Sequence, residues 1–341
     1  MQTETIVKYI EELCKRPSPT GFTKKCEEYL IDEFEKLGYI PYQTKKGNVV
    51  VPIVEGEENG LLLSAHIDTL GLMVRSIKEN GRLRVTNLGG FPLAYAEQEN
   101  VVIHTRSGKE YRGTFRLNEP SVHGSDFPKN AQRNDENMEI VIDCITNSKE
   151  ETEKLGISSG DFVSLDPRFS LSNGFIKSRH LDDKASAGVL IALAKEIKEE
   201  NIKIARPLYM MFTVYEEVGH GAASGEPKGI VDMIAVDMGV VYDDLATDET
   251  KVSICAKDSS GPYNYDLTNE LIDLAKKEEI DYCLDIYPFY GSDASAAMAS
   301  DHDYRHALLG AGIAASHGYE RTHEKAIDGL FNLLKSFISK K

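Results

Sequence analysis

Three apolar runs in this chain stop abruptly at an acid or a histidine. LLLSA at 61–65 runs into His66-Ile67-Asp68, LYMMFTVY at 208–215 into Glu216-Glu217, and MIAV at 233–236 into Asp237. An unbroken apolar stretch of this length, bounded by polar residues, reads as a strand buried on both faces of a helix-covered sheet. In open α/β sheets, ligands bind in the crevice beyond the carboxyl ends of such strands. One pattern thus predicts both the fold class and the place where chemistry is to be sought.

Helical patterns flank these runs. Ile6, Ile10, Leu13 and Cys14 recur at helical spacing, and an amphipathic stretch over 22–37 ends at Gly38, a favoured helix-stop residue. Further helices are expected over 184–198 and 267–277. The last, over 324–339, carries the apolar stripe Ile327, Leu330, Phe331, Leu334, Phe337 and Ile338. Between 73 and 174 the texture changes to short, half-polar strands with frequent turns. Ser107-Gly108 between VVIHTR and KEYRGTFRL is a hairpin signal, strands are expected over 138–144 and 161–165, and a short helix over 149–155. The expected architecture is a three-layer α/β/α domain with a mixed central sheet, formed by 1–72 and 175–341. A small β-rich, barrel-like domain over 73–174 interrupts it.

Charge and composition narrow the function. The chain has 39 Lys+Arg against 55 Asp+Glu, a formal charge of −16, which repels nucleic acid and anionic membrane surfaces. No apolar run reaches the ~20 residues needed to cross a bilayer. The first residues form an acid-containing amphipathic pattern, not a basic segment before an apolar core, so a cytoplasmic location is expected. Cys14, Cys26, Cys144, Cys255 and Cys283 lie far apart with no C-x-x-C pair, which fits free thiols in a reducing compartment.

Two more candidates lie at helix starts: Asp182-Asp183 before the helix at Lys184, and His323 before the terminal helix. Taken singly, each candidate has an ordinary role. A histidine after a strand is usually hydrogen-bonded and half-buried, an aspartate before a helix is commonly an N-cap, and paired glutamates usually face solvent. Asp237 is harder to dismiss, because an acid in an apolar strand end costs several kcal/mol unless it is paired or metal-bound. Jointly, two histidines and several acids converge on one crevice. Imidazole and carboxylate suit zinc, cobalt or manganese. They are too many donors for one catalytic zinc with three protein ligands, but enough for two cations if one carboxylate bridges.

The segments SAHIDTLGLMV (64–74), RHLDDKASAGVL (179–190), VYEEVGHGA (214–222), AVDMGV (235–240) and RTHEKAI (321–327) resemble, in order, the motifs of the M42 family of cocatalytic metallo-aminopeptidases. The likeness spans nearly the whole chain, including a β-rich insertion between the first two motifs. It implies His66, Asp182 and Asp237 on one cation, and Asp182 (bridging), Glu217 and His323 on the other. Glu216 would be general base and acid, and Asp68 would orient the His66 imidazole. Also implied are peptide substrates with free amino termini, two divalent cations per subunit (zinc, cobalt or manganese), and homo-oligomers, dodecameric in the tetrahedral branch. The insertion would serve as a lid or subunit contact.

The chain departs from that family at Thr69, where many relatives have an acid, and at Tyr319-Glu320-Arg321-Thr322, where an Arg-Tyr pair is common. Asp293, in GSDASAA (291–297), is a candidate cleft contact. Asp301-His302-Asp303 and His306 read as a solvated turn, and His104, His123, His180, His220 and His317 lack a comparable context. Three other functions compete: an endoglucanase-type glycoside hydrolase, a metal-dependent deacylase and a non-catalytic peptide binder. Glycoside hydrolysis normally needs two carboxylates and gives the histidines no part, and a non-catalytic relative should have lost a ligand or the base.

Overall fold

The structure, a computed structural model, describes residues 2–339. The chain divides into two compact units, one from the described residues of 1–68 and 168–341, the other Thr69–Pro167. The first unit is built on a nine-stranded mixed sheet. Its path runs Tyr42–Gln43, Val49–Val54, Leu208–Thr213, Gly60–His66, Ile230–Val236, Arg305–Ile313, Val252–Lys257 and Tyr282–Ile286, and Gly239–Val240 pairs with Arg305–Ile313. Leu208–Thr213, Gly60–His66, Ile230–Val236 and Arg305–Ile313 are four adjacent parallel strands. They are the element that aligns the site, because all four deliver their carboxyl ends to the same edge.

The unbroken apolar runs reflect burial on both faces. Leu61, Leu63, Ala65, Met210, Phe212, Ile234 and Val236 belong to one core, and Leu62, Tyr209, Met211, Met233 and Ala235 to another. Successive residues along a strand point to opposite faces. The first core is covered by the helices Gln2–Cys14, Lys24–Lys36, Leu181–Glu199, Tyr265–Lys277 and Glu324–Ser339. The second lies under shorter pieces, chiefly Asp293–Met298 and the turn at Ala222. This is the expected three-layer arrangement.

The second unit closes into a six-strand barrel in the order Gly71–Ile77, Leu83–Leu88, Met138–Ile142, Glu110–Leu117, Asn100–His104 and Phe162–Leu165. Each strand turns alternate residues inward, such as Leu72 and Val74, Leu83 and Val85, Val101 and Ile103, and Phe115 and Leu117. Closure removes the exposed strand edges that would otherwise invite aggregation. The hairpin read at Ser107-Gly108 joins Asn100–His104 to Glu110–Leu117 in antiparallel register. Strand Ser170–Ser172 pairs with Phe175–Ser178 in the first unit, so the division falls before that hairpin. All five cysteines are free thiols, four of them buried. Among the described residues no helix is long and apolar enough to cross a membrane.

The helix Leu181–Glu199 is buried almost throughout. Lys184, wholly buried, donates from Nζ to the carbonyls of Leu13 (3.0 Å) and Arg16 (2.7 Å), at and just beyond the end of helix Gln2–Cys14. Gly188 lets the two helices approach: a Cβ there would lie 2.7 Å from Ile10 Cγ1 and 3.1 Å from Ile10 N. Alanine is a better helix former than glycine by roughly 1 kcal/mol, but overpacking costs typically 1–3 kcal/mol. Gly188→Ala should therefore destabilise the protein despite its propensity gain. A rise in the urea midpoint would contradict the close approach.

Candidate metal centre

Three of the parallel strands bring the predicted donors to one edge. Gly60–His66 ends on His66 itself, Leu208–Thr213 leads to Glu216 and Glu217, and Ile230–Val236 leads directly into Asp237. Gly310 makes room for that last step, since a Cβ there would overlap the Asp237 carbonyl. Asp182 comes from the start of the Leu181–Glu199 segment, where residues 182 and 183 have non-helical backbone angles and the Asp182–Asp183 peptide is cis.

His66, Asp182 and Asp237 each offer an atom within 4.8 Å of the other two, and all three are buried. His66 Nδ1 lies 2.9 Å from the main-chain carbonyl of Asp68, and its Nε2 lies 3.0 Å from Asp182 Oδ1. A carbonyl only accepts, so Nδ1 carries the proton. Nε2 is left to bear a second proton toward Asp182 or to offer its lone pair to a cation. Asp68 thus orients the imidazole through its backbone; its carboxylate Oδ1 is 3.7 Å from the ring. That carboxylate is used elsewhere. It accepts from the Thr20 hydroxyl at 2.7 Å and from the N–H groups of Glu216 (3.1 Å) and Glu217 (3.4 Å).

Strand geometry predicts that Glu216 and Glu217 point apart. The strand instead stops at Thr213, Tyr215 adopts left-handed backbone angles, and Glu216–Val218 forms a 3₁₀ turn. Both glutamates consequently line one cavity, yet they face different histidines. Glu216 Oε2 is 3.7 Å from His66 Nε2, and Glu217 Oε2 is 3.6 Å from His317 Nε2.

The second histidine that lies beside these acids is His317, and His323 makes its contacts elsewhere. Along Glu320–His323 burial alternates, with Glu320 and Thr322 turned inward and Arg321 and His323 on the other face. His323 packs edge-on against Phe175, 4.7 Å between ring centroids, and its Nδ1 accepts the Lys325 N–H at 3.0 Å. His317 follows the carboxyl end of the fourth parallel strand, and its Nε2 lies 3.5 Å from Asp182 Oδ2. The sequence signal of His66, a histidine just past an apolar run, is also present at His317 in ALLGAGIAASH.

Glu320 has no sequence signal that marks it as part of this centre. It is buried, and it accepts the Asp182 N–H on Oε2 and the His317 N–H on Oε1, each at 3.0 Å. Asp293 is not a cleft contact. Its oxygens accept the Thr213 hydroxyl (2.7 Å) and the Ala222 N–H (2.9 Å), while neighbouring Ser292, Ser295 and Ala296 line the cavity. His302 Nδ1 lies 3.1 Å from Glu226 Oε1.

Electrostatics set the character of the site. Burial, with Asp182 beside it, pushes the Asp237 carboxyl up to about 7. Burial and neighbouring acids also hold Glu216 and Glu217 well above the usual carboxylate range. Burial opposes protonation of His66, but Asp182, Glu216 and Asp237 outweigh it and hold the imidazole well above its ordinary value. Asp182, Glu216 and Glu217 lie within ion-pairing distance of His66 or His317, while Asp237 accepts the Met238 N–H. When ionised, buried like charges of this kind are stabilised by a cation, and the nitrogen and oxygen donors suit a divalent transition metal. A cavity of about 410 Å³ opens over Asp182, Glu216, Glu217, Asp237 and His317.

Comparison with known proteins agrees with this chemistry. The sequence model of the M42 glutamyl aminopeptidase family matches residues 47–333. A putative aminopeptidase, YhfE of Bacillus subtilis (strain 168), is 46% identical over 332 residues, spanning 96% of each chain. The lysyl aminopeptidase of Pyrococcus furiosus is 25% identical over 304 residues, 86% of this chain and 85% of that one. Among solved structures, PhTET1-12s, described as a dodecamer, superposes with a TM-score of 0.85 at 25% identity over 98% of this chain and 99% of its own. With fold, donor set and family match in agreement, the chain belongs to the M42 peptidase family and is a peptide-bond hydrolase.

Proposed function

We propose that the protein is a two-metal aminopeptidase in which His66, Asp182 and Asp237 hold one cation and Asp182, Glu217 and His317 hold the other. The observation that carries this is Asp182, whose Oδ1 lies 3.0 Å from His66 Nε2 and whose Oδ2 lies 3.5 Å from His317 Nε2. One carboxylate addressing two imidazoles is the arrangement of a bridging ligand. Zinc, cobalt and manganese all suit these donors. Cations held there would make a bound water acidic enough to ionise near neutral pH and would polarise the scissile carbonyl.

The chain's own groups supply the rest. Glu216, on the His66 side of the cavity, takes the proton of the attacking water on a carboxylate oxygen and returns it to the leaving amine. Asp68 is a positioning residue, orienting His66 through its carbonyl and the Glu216-Glu217 turn through its carboxylate. Glu320 ties the backbone of Asp182 to that of His317, fixing the bridging ligand against the second histidine. The substrates are peptides with a free amino terminus. PhTET1-12s is described as a dodecamer; by that likeness we extend homo-oligomeric assembly to this chain, which light scattering on the purified protein would check.

Elemental analysis and aminopeptidase assays on three variants test the assignment. Glu216→Gln should retain both metals while kcat/KM falls by about 10²–10⁴-fold, the usual contribution of a general base. A fully active Glu216→Gln would remove it from that role. His317→Ala should lose one metal per chain and most activity, whereas His323→Ala should keep both. The reverse pattern would restore His323 as the ligand.

The chelated protein gives a pH test. A carboxyl raised by folding contributes stability that is complete below its ordinary value and is lost as pH rises through its folded value. For Asp237 that loss runs upward from the ordinary carboxylate range to about 7. Metal-free Asp237→Asn, which cannot ionise, should therefore gain on metal-free wild type between pH 5 and pH 8, by on the order of 2 kcal/mol. Equal denaturant midpoints for the two proteins at both pH values would contradict a buried, raised Asp237.

A further inference from the structure

We infer that the cavity wall above the metal ligands receives an uncharged, apolar or aromatic side chain at the substrate's amino terminus, an inference that rests on the aminopeptidase reading. The cavity has two chemically distinct halves. Its floor is the acidic donor set. Its wall is Ser260, Phe289, Tyr290, Gly291, Ser295 and Ala296, none of which carries a formal charge.

The charged groups nearest this wall in sequence are committed elsewhere. Asp258 is buried and accepts the N–H and hydroxyl of Ser260 and the hydroxyl of Tyr263. Lys257 donates to the Asp258 carbonyl at 2.8 Å. Asp293 is turned inward onto Thr213 and Ala222. A substrate glutamate or lysine side chain resting on the wall would lose hydration and find no counter-charge among the wall residues, the acids of the floor being taken up by the proposed cations, which is costly. An apolar side chain would gain by leaving water.

Phe289 gives the wall its preference. It is 100% exposed, the most exposed of the large apolar residues, and it stands at the cavity mouth. One exposed apolar residue is ordinary on a protein surface. A phenyl ring beside a cavity floored by ligands is instead placed to cover a side chain held there, and Tyr290 beside it adds a second aromatic face. A volume of about 410 Å³ lies within the range of small-molecule pockets and accommodates one aminoacyl residue at the floor.

The test is kcat/KM for the metal-loaded full chain on leucyl, phenylalanyl, glutamyl and lysyl p-nitroanilides. Leucyl or phenylalanyl substrate should lead the charged ones by about tenfold or more, the scale of discrimination an apolar pocket provides. Phe289→Ala should raise KM for the phenylalanyl substrate by roughly tenfold with kcat little changed, the signature of lost ground-state binding. Ala296→Arg, which places a cation on the wall, should shift the glutamyl-to-leucyl ratio by about tenfold toward glutamyl. A glutamyl or lysyl substrate leading in wild type would overturn the inference while leaving the aminopeptidase reading intact. So would a Phe289→Ala that changed the subunit number by sedimentation and left KM unaltered. Turnover of none of the four by protein holding two metals would overturn the aminopeptidase reading and the inference with it.

Discussion

The fold is organised around an electrostatic problem: Asp182, Glu216, Glu217 and Asp237 are gathered at one sheet edge, the first three within ion-pairing distance of His66 or His317. Such a group is costly to bury, because each carboxylate loses water and meets another negative charge. Raised carboxyl values at Glu216, Glu217 and Asp237 express that cost. The rest of the first unit is a frame rigid enough to hold it. Four parallel strands, buried on both faces, set the spacing, and a helix buried along most of its length supplies Asp182.

Hydrogen bonds then convert a collection of acids into an ordered centre. Asp68 uses both its backbone and its side chain, one on His66 and the other on the glutamate turn. Asp293 performs a similar service one step further out, linking Thr213 at the strand end to Ala222 beyond the turn. Neither residue need touch a substrate to matter. Both fix the positions of groups that floor the cavity.

Much of this was legible in the amino-acid order, for physical reasons. Unbroken apolar runs announce strands covered on both sides, and the residues immediately after them must lie at the sheet edge, so His66 and Asp237 follow from the pattern. The barrel shows in the shift to alternating, half-polar strands with close turns. What the order does not reveal is geometry within short irregular segments. His317 and His323 are six residues apart, and only the turn after Ile313 and the alternation along Glu320–His323 decide which faces Asp182. Likewise the 3₁₀ turn at Glu216–Val218, which brings two adjacent glutamates to the same cavity, has no signature comparable to an apolar repeat. Carboxylates that bind only backbone N–H groups, as Glu320 does, leave no spacing rule at all.

Glu320 has a consequence for how this centre changes over time. Because one side chain grips the amides of both Asp182 and His317, the loop bearing the second imidazole and the segment bearing the shared acid are mechanically joined. Neither can be lengthened, shortened or re-aimed by itself without stranding a buried carboxylate oxygen. A single substitution in either segment is therefore felt in the other, and the Phe289 side carries a tie of its own, from the Tyr290 hydroxyl to the Met238 carbonyl beside Asp237.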